Sequence, residues 1–238
     1  MRNPLKPVWM VPVYRHVEPA RVLAQRLLET PFPVVAVDDG NAPPLDLPGV
    51  TVLRHDRNLG KGAAVATALR WAGGQGFTHA VQIDADGQHR VEDALTMVAR
   101  AECEPGTLIS GFPVYDGTVP SQRASGRKVT RFFIWLETGV KGEDGLCGCR
   151  VYPVARAVAL LPLLRSRRMG FDVEVIVRWL WNGWPLFSHP VHVTYPENGV
   201  SNFRMVHDNI TFFMLHARLC FQRLFRCYRR VRAGEEMA

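Results

Sequence analysis

The chain has 238 residues, 47% of them hydrophobic and 21% charged, which suits one globular domain with a sizeable core. No run reaches the ~18–20 apolar residues that span a bilayer; the best, Val151 to Leu164, is broken by Pro153 and Arg156. Five scattered cysteines with a lone Cys147-Gly148-Cys149 argue against a structural zinc site and for reduced thiols in a cytosolic compartment. The net charge is +7, and residues 201–232 hold seven arginines against Asp208 alone, so the excess basicity lies in a tail.

In chain order, the opening residues read as a first strand ending near Val13-Tyr14, not as a signal peptide. Helical spacing follows over Glu18 to Glu29. Phe32 to Val37 is a buried-strand pattern ending in Asp38-Asp39-Gly40, and Val50 to Leu53 a third strand. Gly60 to Trp71 reads as a helix, Phe77 to Ile83 as a strand stopping at Asp84-Ala85-Asp86-Gly87, and Val91 to Ala101 as a helix. A strand over Thr107 to Gly111 is followed by a helix over Ser121 to Thr138 and a Gly-rich loop over Lys141 to Cys149. Helices over Val154 to Leu164 and Asp172 to Trp181 flank a basic turn, Arg165 to Arg168; Leu186 to Tyr195 returns as a strand. Alternating strands and helices predict an α/β fold, a mostly parallel sheet covered on both faces. A shift near Gly111 divides a donor half, about 1–111, from an acceptor half, 112–200, within one domain; 201–238 is a basic segment.

The chemistry-bearing residues fall after strands, where open α/β sheets bind their ligands. Asp84 and Asp86, two apart before Gly87 and Gln88-His89, offer hard oxygen ligands to Mg²⁺ or Mn²⁺. Alone, such a pair is more often a solvated turn. Asp38 and Asp39 are placed to accept from a nucleobase or ribose, or to serve an ordinary turn. Asn58-Leu59-Gly60-Lys61-Gly62 puts glycines, free N–H groups and a lysine at a helix start, a pattern favouring a diphosphate.

Together, Val11-Pro12-Val13-Tyr14, Val37-Asp38-Asp39-Gly40, Asn58 to Gly62 and Gln82 to His89 resemble family 2 glycosyltransferases, particularly the dolichyl- or polyprenyl-phosphate sugar synthases. Asp144 with Cys147-Gly148-Cys149-Arg150 looks like that family's acceptor-side D-x-x-x-G-F-R region, and Gly199 to Arg204 is a weaker match. The resemblance implies a GT-A fold and transfer from a UDP- or GDP-sugar to a polyprenyl phosphate or lipid hydroxyl. It implies that Asp39 contacts the base in a pocket lined by Pro12 and Tyr14. Asp84, Asp86 and Gln88 would hold the metal against the diphosphate, and Arg123 and Arg204 would neutralise phosphate. Cys149 departs from the usual Phe, and Asn202 stands where a lysine is common, with Arg204 its substitute. The processive Q-x-x-R-W motif is absent, which implies one sugar per acceptor; the resemblance implies transfer with inversion.

A phosphate acceptor needs no base, whereas a hydroxyl needs a carboxylate: Asp144 first, Glu143 second. The alternative role for Asp144 is that of a carboxylate that only orders its loop. The rival nucleotidyltransferases carry a G-x-G-x-R loop that Val13-Tyr14-Arg15-His16 lacks. The other rival, a silent nucleotide-sugar-binding adaptor, does not need Asp84, Asp86 and Gln88. In the tail, Phe213, Ala217, Cys220, Leu224, Tyr228 and Val231 trace an apolar face over Thr211 to Val231. That face suits either contact with the inner membrane surface or packing on the core. No nucleic-acid motif accompanies the arginines.

Overall fold

The computed structural model describes residues 4–115, 121–194, 205–232 and 234, with the side chains of 121–124 and 205–207 left aside. Arg204 and the Gly199 to Arg204 match lie outside the described residues, as does the side chain of Arg123. The strands are β1 (Pro7–Val13), β2 (Val34–Asp38), β3 (Thr51–Arg54), β4 (His79–Gln82), β5 (Leu108–Tyr115), β6 (Arg150–Pro153) and β7 (Leu186–Val193). The helices are α1 (Val17–Leu28), α2 (Lys61–Gly74), α3 (Val91–Cys103), α4 (Ser121–Thr138), α5 (Val154–Leu160), α6 (Gly170–Trp181) and α7 (Met205–Leu224).

The strands form one sheet in the order β3-β2-β1-β4-β6-β5-β7. All neighbours are parallel except β6, which runs against both β4 and β5. β2 and β4 are buried along their whole lengths because helices cover both faces. Strand alternation sorts their side chains. Trp9, Val11, Ala36 and Val81 meet α1 and α3 on one side; Met10, Val35, Val37 and Ala80 meet α2, α5 and α6 on the other. A third cluster joins Ile134 of α4, Val177 and Trp181 of α6, and Leu215 and Leu219 of α7. Among the described residues no helix is long and apolar enough to cross a membrane.

Several expectations need correcting. β6 falls between the expected loop, which ends at Cys149, and the expected helix from Val154: four residues there carry too little periodicity to announce a strand. Gly111 lies inside β5, opposite His189, so the strand runs on to Tyr115, past its expected end. The helix expected to reach Leu164 ends at Leu160 and tightens into a 3-10 turn over Leu161–Leu163, because Pro162 has no N–H to continue the ladder. The tail helix starts earlier and ends earlier than its apolar spacing suggested. After Leu224 the chain turns, with Arg226 at φ 49°, and folds back. Tyr228 stacks on Trp181 at 4.4 Å and Val231 N–H donates to Asn182 Oδ1 at 2.8 Å. Tyr228 and Val231 thus belong to the body, as do the buried Trp179, Trp181 and Trp184.

α2 lies close to α6 at Gly62, where an added Cβ would overlap Phe171. Helix propensity favours Gly62→Ala by about 1 kcal/mol, but overpacking costs about 1–3 kcal/mol. We expect a net loss, read as a melting temperature a few degrees lower.

Candidate active site

β1, β2 and β4 run parallel, so their carboxyl ends share one edge, and the connections leave in opposite directions on either side of the β1–β4 pair. Such a switch point opens a crevice. Tyr14, Asp38-Asp39 and Asp84 to Asp86 all follow those strand ends.

Asp38 does not face the crevice, contrary to its expected role with substrate. It is 0% exposed. Its Oδ1 accepts from the Asn41 backbone N–H (2.8 Å) and side-chain amide (2.7 Å), its Oδ2 from Leu45 N–H (2.9 Å) and Arg54 Nη1 (2.6 Å). Burial alone would raise its pKa; the bonds from Leu45 and Asn41 and the charge of Arg54 outweigh that and hold it below the usual carboxylate range. Gly40 makes the turn at φ 79°, with no room for a Cβ against the Arg57 backbone.

Asp39 points the other way and is 2% exposed. Oδ1 lies 2.8 Å from His55 Nδ1 and accepts from Leu59 N–H at 2.8 Å. Oδ2 accepts from Asn58 Nδ2 and Gly60 N–H, each at 2.8 Å. Asp39 therefore ties the Asn58–Gly60 loop to the end of β2 at the start of α2. Tyr14 is half-buried beside it, under the Arg15 guanidinium at 5.1 Å, and Pro12 is half-buried in β1.

The next residue carries the link across the crevice. Lys61 Nζ lies 2.7 Å from Asp84 Oδ2 and 2.8 Å from Asp172 Oδ2, in the first turn of α6. Burial works to strip the ammonium of its proton, and the charges of Asp172 and Asp84 overcome that and keep it protonated. Gln82 Nε2 donates to Asp84 Oδ1 at 3.3 Å, and a Cβ on Gly148 would fall on the Asp84 carboxylate. Asp86 accepts only from Gln88 N–H (3.1 Å, Oδ1) among the described residues and is half-exposed. Its free oxygens, with the Gln88 carbonyl group nearby in sequence, are a hard donor set suited to Mg²⁺ or Mn²⁺. No three His, Cys, Asp or Glu groups among the described residues could cage a metal alone. Such a set fits an ion that completes its shell with substrate phosphates and water.

In the loop before β6, Asp144 is buried and accepts at Oδ1 from Arg127 Nη1 (2.7 Å) and Leu146 N–H (2.8 Å). Glu143 accepts from Ser188 Oγ, and burial pushes its pKa up. Arg150, wholly buried, donates to Asp172 O (2.8 Å) and Gly145 O (3.1 Å), fixing the loop before β6 to α6.

Four contributors escaped the sequence reading. Arg127 was one cation among several on α4. His89 was seen only as part of a motif; its Nδ1 is buried without a hydrogen-bond partner beside Asp84 and Asp86, and burial lowers its pKa. Gly148 stands in the sequence only as the glycine of the Asp144 to Arg150 match, with no contact assigned to it. Asp172 gave a usable signal: an acid inside a helix as apolar as α6 must have a buried partner.

A family model described as "Glycosyl transferase family 2" matches residues 9–155. The chain belongs to glycosyl transferase family 2. It is a nucleotide-sugar glycosyltransferase. It is 27% identical over 157 residues, 64% of its length, to the polyprenol monophosphomannose synthase of Mycolicibacterium smegmatis. It is 24% identical over 152 residues, 62% of its length, to the UDP-N-acetylglucosamine–dolichyl-phosphate N-acetylglucosaminyltransferase of Methanococcus voltae. The matches span 59% and 61% of those relatives. Among solved structures, the transferase is similar to glucosyl-3-phosphoglycerate synthase of Mycobacterium tuberculosis in complex with Mn²⁺, UDP-glucose and phosphoglyceric acid. The TM-score is 0.66 at 13% identity, covering 91% of this chain and 80% of the other. That likeness is one of fold, the GT-A architecture.

Two outcomes test this geometry. Gly148→Ala should displace the Asp84 carboxylate and lower turnover about 10²-fold, since small misplacements at a reacting centre are that costly, with the circular-dichroism spectrum unchanged. For Asp38, the folded pKa is lower than the unfolded one, so its stabilisation is complete above about pH 4 and drains away as pH falls through the folded value. Urea titrations should show a stability gap between wild type and Asp38→Asn at pH 7 that narrows below about pH 4.

Proposed function

We propose that the transferase moves one sugar, with inversion, from a UDP- or GDP-sugar to a lipid-linked phosphate, with Mg²⁺ or Mn²⁺ on the departing diphosphate. The observation that carries this reading is the convergence of the Asp39 and Asp84–Asp86 turns through Lys61 beside the Asp144–Arg127 pair. The names of both relatives, one acting with polyprenol phosphate and one with dolichyl phosphate, support the acceptor class. The Mn²⁺ and UDP-glucose in the similar synthase support the donor and the metal.

In this scheme the base rests against Pro12, Tyr14 and the turn that Asp39 orders. Asp86 and Gln88 hold the metal, with Asp84 steered by Lys61 towards the same ion and the sugar. Bound there, the metal offsets the charge developing on the leaving diphosphate. Arg127 stands at the acceptor, where it faces an incoming phosphate, and Arg123 and Arg204 are assigned to donor or acceptor phosphate. An acceptor phosphate oxygen is already anionic, so Asp144 then serves to aim Arg127; for a hydroxyl acceptor, Asp144 takes the proton, with Glu143 behind it. α7 lies on the inner membrane surface, which brings the enzyme to a lipid acceptor.

Thermal shifts with UDP-, GDP- and dTDP-sugars should show metal-dependent stabilisation by one of them. Asp86→Ala should abolish it and lower sugar transfer to polyprenyl phosphate about 10²-fold or more. A metal-independent shift, or sugar released only to water, would refute the reading.

A further inference from the structure

The basic turn Arg165 to Arg168, between α5 and α6, lies against the loop that Asp39 orders. Arg168 Nη1 donates to Asn58 Oδ1 at 2.9 Å. The other end of that amide, Asn58 Nδ2, donates to Asp39 Oδ2 at 2.8 Å. Beside these bonds the two backbones meet. Ala63 N–H donates to Arg167 O at 2.9 Å, and a Cβ on Gly60, which sits at φ 103°, would overlap the same carbonyl. Residues 57–60 are therefore gripped between two turns: Gly40 approaches closely on Arg57, and Gly60 on Arg167.

The turn is itself anchored by a buried acid. Glu174 of α6 is 0% exposed. Its Oε2 accepts from Arg165 N–H (3.1 Å) and Ser166 N–H (2.8 Å). Its Oε1 accepts from Arg178 Nε at 2.9 Å and lies 2.9 Å from Arg218 Nη2 of α7. Burial alone would raise the pKa of Glu174; the charge of Arg218 and the bonds from Ser166 and Arg178 outweigh that and hold it below its ordinary value. A buried carboxylate committed to two backbone N–H groups fixes the path of the turn, because leaving those groups unpaired is costly. Phe171 N–H then closes on Arg168 O at 3.0 Å, and α6 follows directly. The Arg168 side chain, in contrast, is exposed, so core packing does not call for an arginine there.

We propose that Arg168 is a positioning residue for the nucleotide-sugar: through Asn58 it holds residues 58–60 in the conformation that receives the donor. The inference rests on the donor site proposed above and adds a residue outside that site that sets its affinity. Asp39 accepts from Asn58 Nδ2 and from the Leu59 and Gly60 N–H groups, which restrains the loop through its donors alone. The Asn58 amide oxygen needs a partner of its own, and Arg168 supplies it. An amide held at both ends does not swing out, so a donor arriving at the loop finds it already ordered. Lys61, the next residue after Gly60, is held separately by Asp84 and Asp172. Loss of Arg168 therefore weakens donor binding and leaves the chemical step alone.

The test is steady-state kinetics of sugar transfer to polyprenyl phosphate by the full chain, varying first the nucleotide-sugar and then the acceptor. Arg168→Met should raise the KM for the nucleotide-sugar about fivefold, the net contribution of one hydrogen bond. Its kcat and its KM for polyprenyl phosphate should stay within about twofold of wild type. Arg168→Lys keeps a cationic donor for Asn58 Oδ1 and should recover most of the loss. Asn58→Ala should raise the same KM, and adding Arg168→Met to it should change nothing further, because both act through one amide. An unchanged donor KM in Arg168→Met, or a loss that falls on kcat instead, would overturn the proposal. So would additive losses in the double variant, which would mean that Arg168 touches the donor itself. Metal-dependent thermal shifts with UDP- and GDP-sugars separate the two failures. No shift in wild type sinks the donor reading and this inference with it, whereas equal shifts in wild type and Arg168→Met at subsaturating donor sink only the role of Arg168.

Discussion

The ammonium of Lys61, shared by Asp84 and Asp172, is the contact on which the site's geometry turns. The cation and its two partners come from the start of α2, the turn after β4 and the first turn of α6, so one buried ammonium ties the turns after β2 and β4 to α6. Such a network adds little net stability, because desolvation cancels much of its Coulomb energy. What it supplies is position. Removing the cation would leave two carboxylates facing each other in a poorly solvated crevice, and Arg150, bonded to the Asp172 carbonyl, holds the far end of the chain of contacts.

Four carboxylates meet this edge of the sheet, and their surroundings divide their work. Asp38 and Asp39 each accept four hydrogen bonds and are spent on holding loops. Asp84 is half engaged by Lys61 and Gln82. Asp86 keeps the most unclaimed oxygen. Saturated neighbours make the open one useful: they freeze the turns, so the ligand's binding energy is not spent on ordering them.

The donor side was legible in the sequence because parallel strands announce themselves as apolar runs and the functional residues follow directly after them. Asp38-Asp39 and Asp84 to Asp86 are visible on that rule alone. The rule locates a turn but does not say which of two adjacent carboxylates faces inwards, and so Asp38 was assigned to substrate. Around Asp144 the rule fails, because that loop comes before an antiparallel strand too short to be seen. Arg127 and Gly148 matter through packing against residues 17 and 64 positions away, respectively Asp144 and Asp84, and no local pattern marks that. The tail's apolar spacing was real, but Tyr228 and Val231 extended it past a turn that only the fold reveals.

The reversed direction of β6 has a consequence for how far a substitution reaches. Segments departing from β1, β2 and β4 leave at one edge of the sheet, and because β6 runs backwards the segment before it enters at that same edge, with Arg150 opposite Gln82 in register. The two stretches of chain thus meet at Lys61, Gly148 and Arg150. A substitution in residues 139–142 therefore leaves the Lys61 linkage to Asp84 and Asp172 in place, whereas one at Gly148 or Arg150 moves both strand ends at once.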